Sequence, residues 1–208
     1  MLVLVLAADM NLGIGRNNGL PWSFAKDMHF FKEVTKDSTV ILGSTTWAGI
    51  EKSGNRLPGR EKIILSNKHA PGLTLLSTGP ENYTNSLPLV TGSYGIDNRL
   101  AFVIGGAKIY KEFAGAADYA IVTKVHSENE CDTFLDRSIE HQFSDELRHY
   151  SVTDTDRLNQ YGDRTAQNAV KLSFTLYGSR YRADNTPIHP QVLAAYERGV
   201  NSVKDRFD

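Results

Sequence analysis

Short apolar runs recur along this chain, and most end at a glycine or a hydroxyl residue. They are Leu2 to Ala8, Thr39-Val40-Ile41-Leu42, Lys62-Ile63-Ile64-Leu65, Leu73-Thr74-Leu75-Leu76, Ala101-Phe102-Val103-Ile104 and Tyr119-Ala120-Ile121-Val122. Uninterrupted runs of this length suit strands buried on both faces, as in a parallel sheet. Helical candidates lie between several of them, at 25–35, 45–52 and 107–114. Strands alternating with helices predict an α/β architecture. The later stretch Val170 to Leu176 alternates apolar with polar and predicts a half-exposed antiparallel strand at a sheet edge, whereas 154–168 reads as a polar surface loop.

The apolar N-terminal run has no preceding basic residue and is far too short for a membrane span, so it reads as a buried first strand. Apolar content of 40% and charged content of 23% fit a globular domain of ordinary size. A formal net charge of −1 gives no footprint for nucleic acid or an anionic membrane. Cys131 is the only cysteine, which excludes an internal disulfide and fits a reducing cytoplasm. The six histidines show no metal-ligand spacing, and no Gly-x-Ser-x-Gly elbow occurs, so zinc-enzyme and hydrolase readings lack support.

Three junctions at strand ends, two of them strand-to-helix, are suited to anions. Gly43-Ser44-Thr45-Thr46 and Gly105-Gly106-Ala107-Lys108-Ile109-Tyr110 each open a helix with glycine or hydroxyls, where free backbone N–H groups can hold phosphate. Leu65-Ser66-Asn67-Lys68 adds a hydroxyl, an amide and an ammonium. None matches a dinucleotide fingerprint or a P-loop, and each alone also reads as a cap or tight turn. Together, at the carboxyl ends of strands, they point to a ligand with more than one phosphate.

Asp27 lies five residues after Trp22 and shares a helix face with Phe30 and Phe31. A carboxylate among apolar side chains needs a partner. Spacing alone favours a helix cap, and the alternative is a partner outside the protein. Arg60, after the turn Leu57-Pro58-Gly59, suits bidentate capture of a carboxylate but also reads as a solvated loop arginine.

The order and spacing of Ala7 to Trp22, Asp27, Gly43 to Trp47, Leu57 to Arg60, Gly105 to Tyr110, Thr123 and Asp132-Thr133-Phe134 resemble dihydrofolate reductase over roughly residues 1–180. The resemblance implies an eight-stranded, mainly parallel sheet with flanking helices and an antiparallel C-terminal edge. It also implies reduction of dihydrofolate to tetrahydrofolate by NADPH. Asp27 would accept hydrogen bonds from the pterin amino group and N3, supported by Thr123, with Trp22 and Leu20 beside the reacting centre. Val5, Leu6, Ala7, Met28, Phe31, Ile50, Leu57, Ile104 and Tyr110 would line the substrate, and Arg60 would take its glutamate carboxylate. NADPH would lie against Ala7, Ile14, Gly15, Asn18, Gly19, Gly43, Ser44, Thr45, Thr46, Leu65, Ser66, Asn67, Lys68, Ile104, Gly105, Gly106, Ala107, Lys108, Ile109 and Tyr110.

Ser44 departs from the family pattern, which usually carries Arg or Lys there to meet the 2′-phosphate of NADPH; Lys68 and Lys108 are the candidate substitutes. A reductase of the same fold acting on a ribosylaminopyrimidine is the nearest rival, and Leu20-Pro21-Trp22 with Asp27 argues against it. A non-catalytic subunit that keeps the fold is the rival from another class. The domain is expected to span 1–181. After it, 182–208 forms a linker and an added helix in which Val192, Tyr196, Val200, Val203 and Phe207 recur at helical intervals. That stripe either docks on its own domain or offers an interaction surface on an otherwise monomeric enzyme.

Overall fold

The apolar runs fold as adjacent strands of one sheet in a computed structural model that describes residues 1–66, 81–84, 100–158, 164–182 and 186–207. The elements in chain order are β1 (Leu2–Ala8), β2 (Gly13–Gly15), α1 (Ala25–Val34), β3 (Thr39–Gly43), α2 (Ser44–Lys52), β4 (Glu61–Leu65) and β5 (Glu81–Thr84). They continue with β6 (Ala101–Gly105), α3 (Ala107–Ala114), β7 (Tyr119–Val125), β8 (Thr133–Phe134), α4 (Arg137–Gln142), β9 (Asp145–Leu158), β10 (Arg164–Gly178) and α5 (Pro190–Phe207). The eight-stranded sheet has the order β5-β4-β3-β6-β1-β7-β10-β9, and β2 pairs with β8 in a separate ribbon. The strands from β5 across to β7 pair in parallel, while β10 runs antiparallel to both β7 and β9. The predicted α/β architecture is therefore present, and the three predicted helices form at α1, α2 and α3. The predicted strand at 73–76 lies outside the described residues, as do Asn67 and Lys68.

Two expectations need correction. The stretch 154–168 is not simply a surface loop, because 154–158 end β9 and 164–168 begin β10. Strand 170–176 is neither at the edge nor half-exposed. It is antiparallel as expected, but β9 pairs outside it, and of its polar residues Lys171 is exposed while Ser173 and Thr175 are both 4% exposed. Hydrogen bonds offset that burial: Ser173 meets His126 and Ser151 at 2.8 and 3.1 Å, and Thr175 meets His149 at 3.0 Å.

Helix α1 lies over one face of the sheet with α5 against it. Phe30 of α1 stacks on Phe174 of β10, ring centroids 4.2 Å apart, and meets Tyr196 of α5 edge-on at 6.0 Å. Val192, Ala195, Tyr196, Val200 and Val203 of α5 are all buried, and the Tyr196 hydroxyl donates to the Phe174 carbonyl at 2.9 Å. Close approach of the two helices needs Gly199. A Cβ there would fall 2.6 Å from Val34 and 2.7–2.8 Å from the Phe30 ring. Gly199→Ala should therefore destabilise the protein by about 1–3 kcal/mol through overpacking, although alanine favours helix. A denaturation midpoint unchanged or raised by this substitution would show that the interface can yield.

Candidate active site

The carboxyl ends of β4, β3, β6, β1 and β7 lie side by side, where open α/β sheets gather ligands. Register fixes the neighbours: Gly43 faces Leu65, Leu42 faces Gly105, and Ala7 faces Thr123. Side chains alternate across a strand, so Val5, Ala7 and Thr123 project towards α1 together.

Asp27 is 4% exposed in the first turn of α1. It does not cap the helix. The cap position is Phe24, which provides no side-chain hydrogen bond. Instead, the Trp22 indole Nε1 donates to Asp27 Oδ2 at a long 3.4 Å, and the Thr123 side chain also bonds the carboxyl. Burial pushes the Asp27 pKa up to about 6; the Thr123 and Trp22 bonds partly offset this, and the negative charge of Asp154 adds to it. A carboxyl that titrates near neutrality in a closed site can hold a proton for a ligand. Met28 and Phe31 are half-buried on the same helix, and Ile50 is half-buried on α2.

Tyr110 sits behind this acid. Its hydroxyl donates to the Val5 carbonyl at 2.8 Å, and burial, then the nearby Asp27 charge, raises its pKa. Gly105 has φ of +113°, and a Cβ there would meet the Tyr110 ring at 3.0–3.1 Å, so only glycine fits. Gly106 caps α3 and Gly43 caps α2, and neither helix start receives a side-chain cap bond. A Cβ on Gly106 would lie 3.1 Å from Thr46 Oγ1, so the two helix starts approach each other. Their backbone N–H groups open on a common region, as a polyphosphate requires.

Arg60 is not a solvated loop arginine. It is 7% exposed, and Nε donates to Thr35 Oγ1 at 3.0 Å, Nη2 to the Lys32 carbonyl at 3.2 Å and Nη1 to the Pro58 carbonyl at 3.3 Å. Burial lowers its pKa, opposed by Glu33 and Asp37. Three of the five guanidinium N–H groups are thus used for orientation, leaving two for a carboxylate. Leu57 is buried beside it, whereas Leu20 is 51% exposed in the loop that precedes α1.

That loop is tied down over residues 9–17 by Asp9 and Asp132, to which sequence reasoning assigned no individual role. Asp9 accepts from the backbone N–H groups of Gly13, Asn11 and Asn129 at 2.8–2.9 Å. Burial opposes its ionisation, but these amides outweigh it and hold the Asp9 pKa below the usual carboxylate value. Asp132 Oδ2 accepts from Asn17 N at 2.7 Å, and Asp132 N donates to the Gly15 carbonyl at 3.0 Å. Ile14 and Gly15 are buried beneath, while Asn18 and Gly19 stay exposed. An Asp two to four residues before a glycine is the turn signal that could have marked Asp9.

A separate cavity of about 390 Å³ lies on the opposite face of the sheet, over Leu6, Ala8, Val122 and Tyr177. Leu6 therefore projects away from Asp27, on the other side of β1 from Val5 and Ala7.

The dihydrofolate reductase family model matches residues 1–168. Dihydrofolate reductase of Schistosoma mansoni is 34% identical over 145 residues, covering 64% of this chain and 77% of that protein. The Bacillus subtilis (strain 168) dihydrofolate reductase is 32% identical over 135 residues, covering 64% and 73%. The bifunctional dihydrofolate reductase-thymidylate synthase of Daucus carota is 35% identical over 144 residues, but this chain spans only 27% of it. Dihydrofolate reductase from Enterococcus faecalis, solved in complex with NADP(H) and RAB-propyl, has the same fold with a TM-score of 0.67 at 23% identity, covering 86% of this chain and 96% of that one. Sheet order, buried acid and paired helix starts thus agree with a match running through most of the sequence: this chain belongs to the dihydrofolate reductase family.

Proposed function

We infer that this protein reduces 7,8-dihydrofolate to 5,6,7,8-tetrahydrofolate with NADPH, which feeds one-carbon metabolism and thymidylate synthesis. The observation that carries the reading is Asp27, a buried acid poised near pH 6 at the carboxyl ends of the central strands. The proposed working unit is a cytoplasmic monomer comprising a domain of residues 1–181 and the helical extension 182–208.

The residues present fit the cofactor, because the uncapped starts of α2 and α3 offer N–H groups to its phosphates. When bound, NADPH supplies the hydride. Asp27 holds the pterin edge and keeps a proton available for the ring nitrogen beside the carbon that accepts hydride. Thr123 and Trp22 fix the carboxyl, and Met28, Phe31 and Ile50 exclude water from the ring. Arg60 pairs with the glutamate tail, and the tethered loop 9–22 closes over the reacting atoms. The direct test follows loss of nicotinamide absorbance on adding dihydrofolate; no dihydrofolate-dependent oxidation would overturn the proposal.

Ser44 bears on cofactor choice. It is half-buried at the first position of α2 and carries no charge for a 2′-phosphate. A hydrogen bond to a charged group contributes roughly 1.5–3 kcal/mol, or about ten- to hundredfold in affinity. Wild-type enzyme should therefore discriminate weakly between NADPH and NADH, and Ser44→Arg should raise the NADPH:NADH ratio of kcat/KM about tenfold or more. A strong wild-type preference that the substitution leaves unchanged would refute this.

A further inference from the structure

Helix α1 carries Asp27, yet its own sequence provides no cap. Phe24 stands at the N-cap with extended backbone and no side-chain hydrogen bond. The missing acceptor comes from far along the chain. Asp154 on β9 is fully buried, and its Oδ2 accepts from the backbone N–H of Lys26 at 2.8 Å. The neighbouring Thr153 carbonyl accepts from Lys26 Nζ at 2.7 Å. β9 thus grips the residue next to Asp27 by both its backbone and its side chain.

We propose that Asp154 is a positioning residue for Asp27: its carboxylate anchors the first turn of α1 through the Lys26 backbone and sets a negative charge near the acid. The proposal rests on the functional reading above and deepens it.

Two physical effects act in the same direction. A carboxylate at a helix N-terminus neutralises the positive end of the dipole, which would otherwise favour ionised Asp27. Like charges close together also disfavour ionisation of the second group, and the Asp154 charge does act on Asp27 in this sense. Against them stand the Thr123 and Trp22 bonds, which favour the ionised form. The Lys26 ammonium is turned to the Thr153 carbonyl, and the Tyr110 hydroxyl to the Val5 carbonyl. Among the described residues, these groups from α1, α3, β7, β9 and the loop before α1 lie around the acid, and Asp154 is the carboxylate whose charge acts on it.

Asp154→Asn keeps an oxygen for Lys26 N and removes the charge. The Asp27 carboxyl carbon, followed by NMR titration of the ligand-free protein, should then titrate about half a pH unit lower than in wild type. On the alkaline limb of the kcat/KM profile for dihydrofolate, activity should fall about threefold, the factor that half a pH unit gives. Asp154→Glu should move both midpoints back towards wild type. Loss of activity at every pH with unmoved midpoints would mean that Asp154 is structural only, and would overturn the proposal. If Asp154→Asn does not fold, Asp154→Ser, a neutral cap of another size, gives the same two readings. The NMR titration needs no turnover, so an enzyme inert towards dihydrofolate would refute the functional reading and still test Asp154.

Discussion

Replacing Asp27 with asparagine should remove most turnover at neutral pH and stabilise the protein at the same time. The activity loss follows from the proton: an amide cannot supply one, and general acid catalysis typically contributes 10²–10⁴-fold. The stability gain follows from linkage. Folding raises the Asp27 pKa from 3.8 to about 6, so the folded state binds this proton more tightly than the unfolded chain. Below pH 4 both states are protonated and no penalty exists. Between pH 4 and pH 6 the unfolded chain gives up this proton while the folded one keeps it, which costs about 1.36 kcal/mol per pH unit, and above pH 6 the full difference of about 3 kcal/mol stands. Urea denaturation at pH 5 and pH 8 should show the wild type losing stability that Asp27→Asn retains, with the larger gap at pH 8. Near-normal activity in the variant would sink the functional assignment; an equal gap at both pH values would sink the linkage.

The second large effect concerns α5. Removing residues 186–208 would uncover Phe30, Val34 and Phe174, which the described structure buries completely or almost so. Each large apolar side chain that leaves water contributes roughly 1.5–3 kcal/mol, and α5 brings four: Val192, Tyr196, Val200 and Val203. That gross sum rivals the whole stability of an ordinary domain, about 5–15 kcal/mol. Ordering the helix offsets part of it. The truncated chain should still precipitate or melt at least about 10 °C lower, since 1 kcal/mol moves Tm by about 2–4 °C at this size. Where soluble protein remains, KM for dihydrofolate should rise, because α1 also carries Met28 and Phe31. A truncated protein with wild-type Tm and KM would show α5 to be an ornament on a self-sufficient domain.

The parallel half of the molecule was legible because its signals are local. Val40 to Leu42 and Phe102 to Ile104 are apolar without interruption since side chains on both faces of these strands are buried, and the glycines after them mark where helices begin. Asp27 could be singled out, but its role could not be read from α1 alone, because its hydrogen bonds come from Trp22 and Thr123 and a neighbouring charge from Asp154. Spacing suggested a cap, whereas the cap is a residue 128 positions away. The β9–β10 hairpin was hidden for a similar reason. Its outer reaches are polar, and Ser173 and Thr175 look solvent-facing until His126, Ser151 and His149 supply their partners. Arg60 likewise looked like a loop residue because the carbonyls that orient it, of Lys32 and Pro58, leave no trace in side-chain pattern.

The seat of α1 also has a consequence in time. Its first turn is gripped from position 154 and its outer face is covered from positions 192 to 203. A ribosome adding about 5–20 residues per second reaches those positions on the order of ten seconds or more after Asp27 has been made. During that interval the acid-bearing helix has no finished surface to rest on, and Phe30 remains exposed to other chains. Contacts this distant in sequence slow folding as well. The nascent chain therefore makes this apolar helix early and gains the surfaces that shield it last.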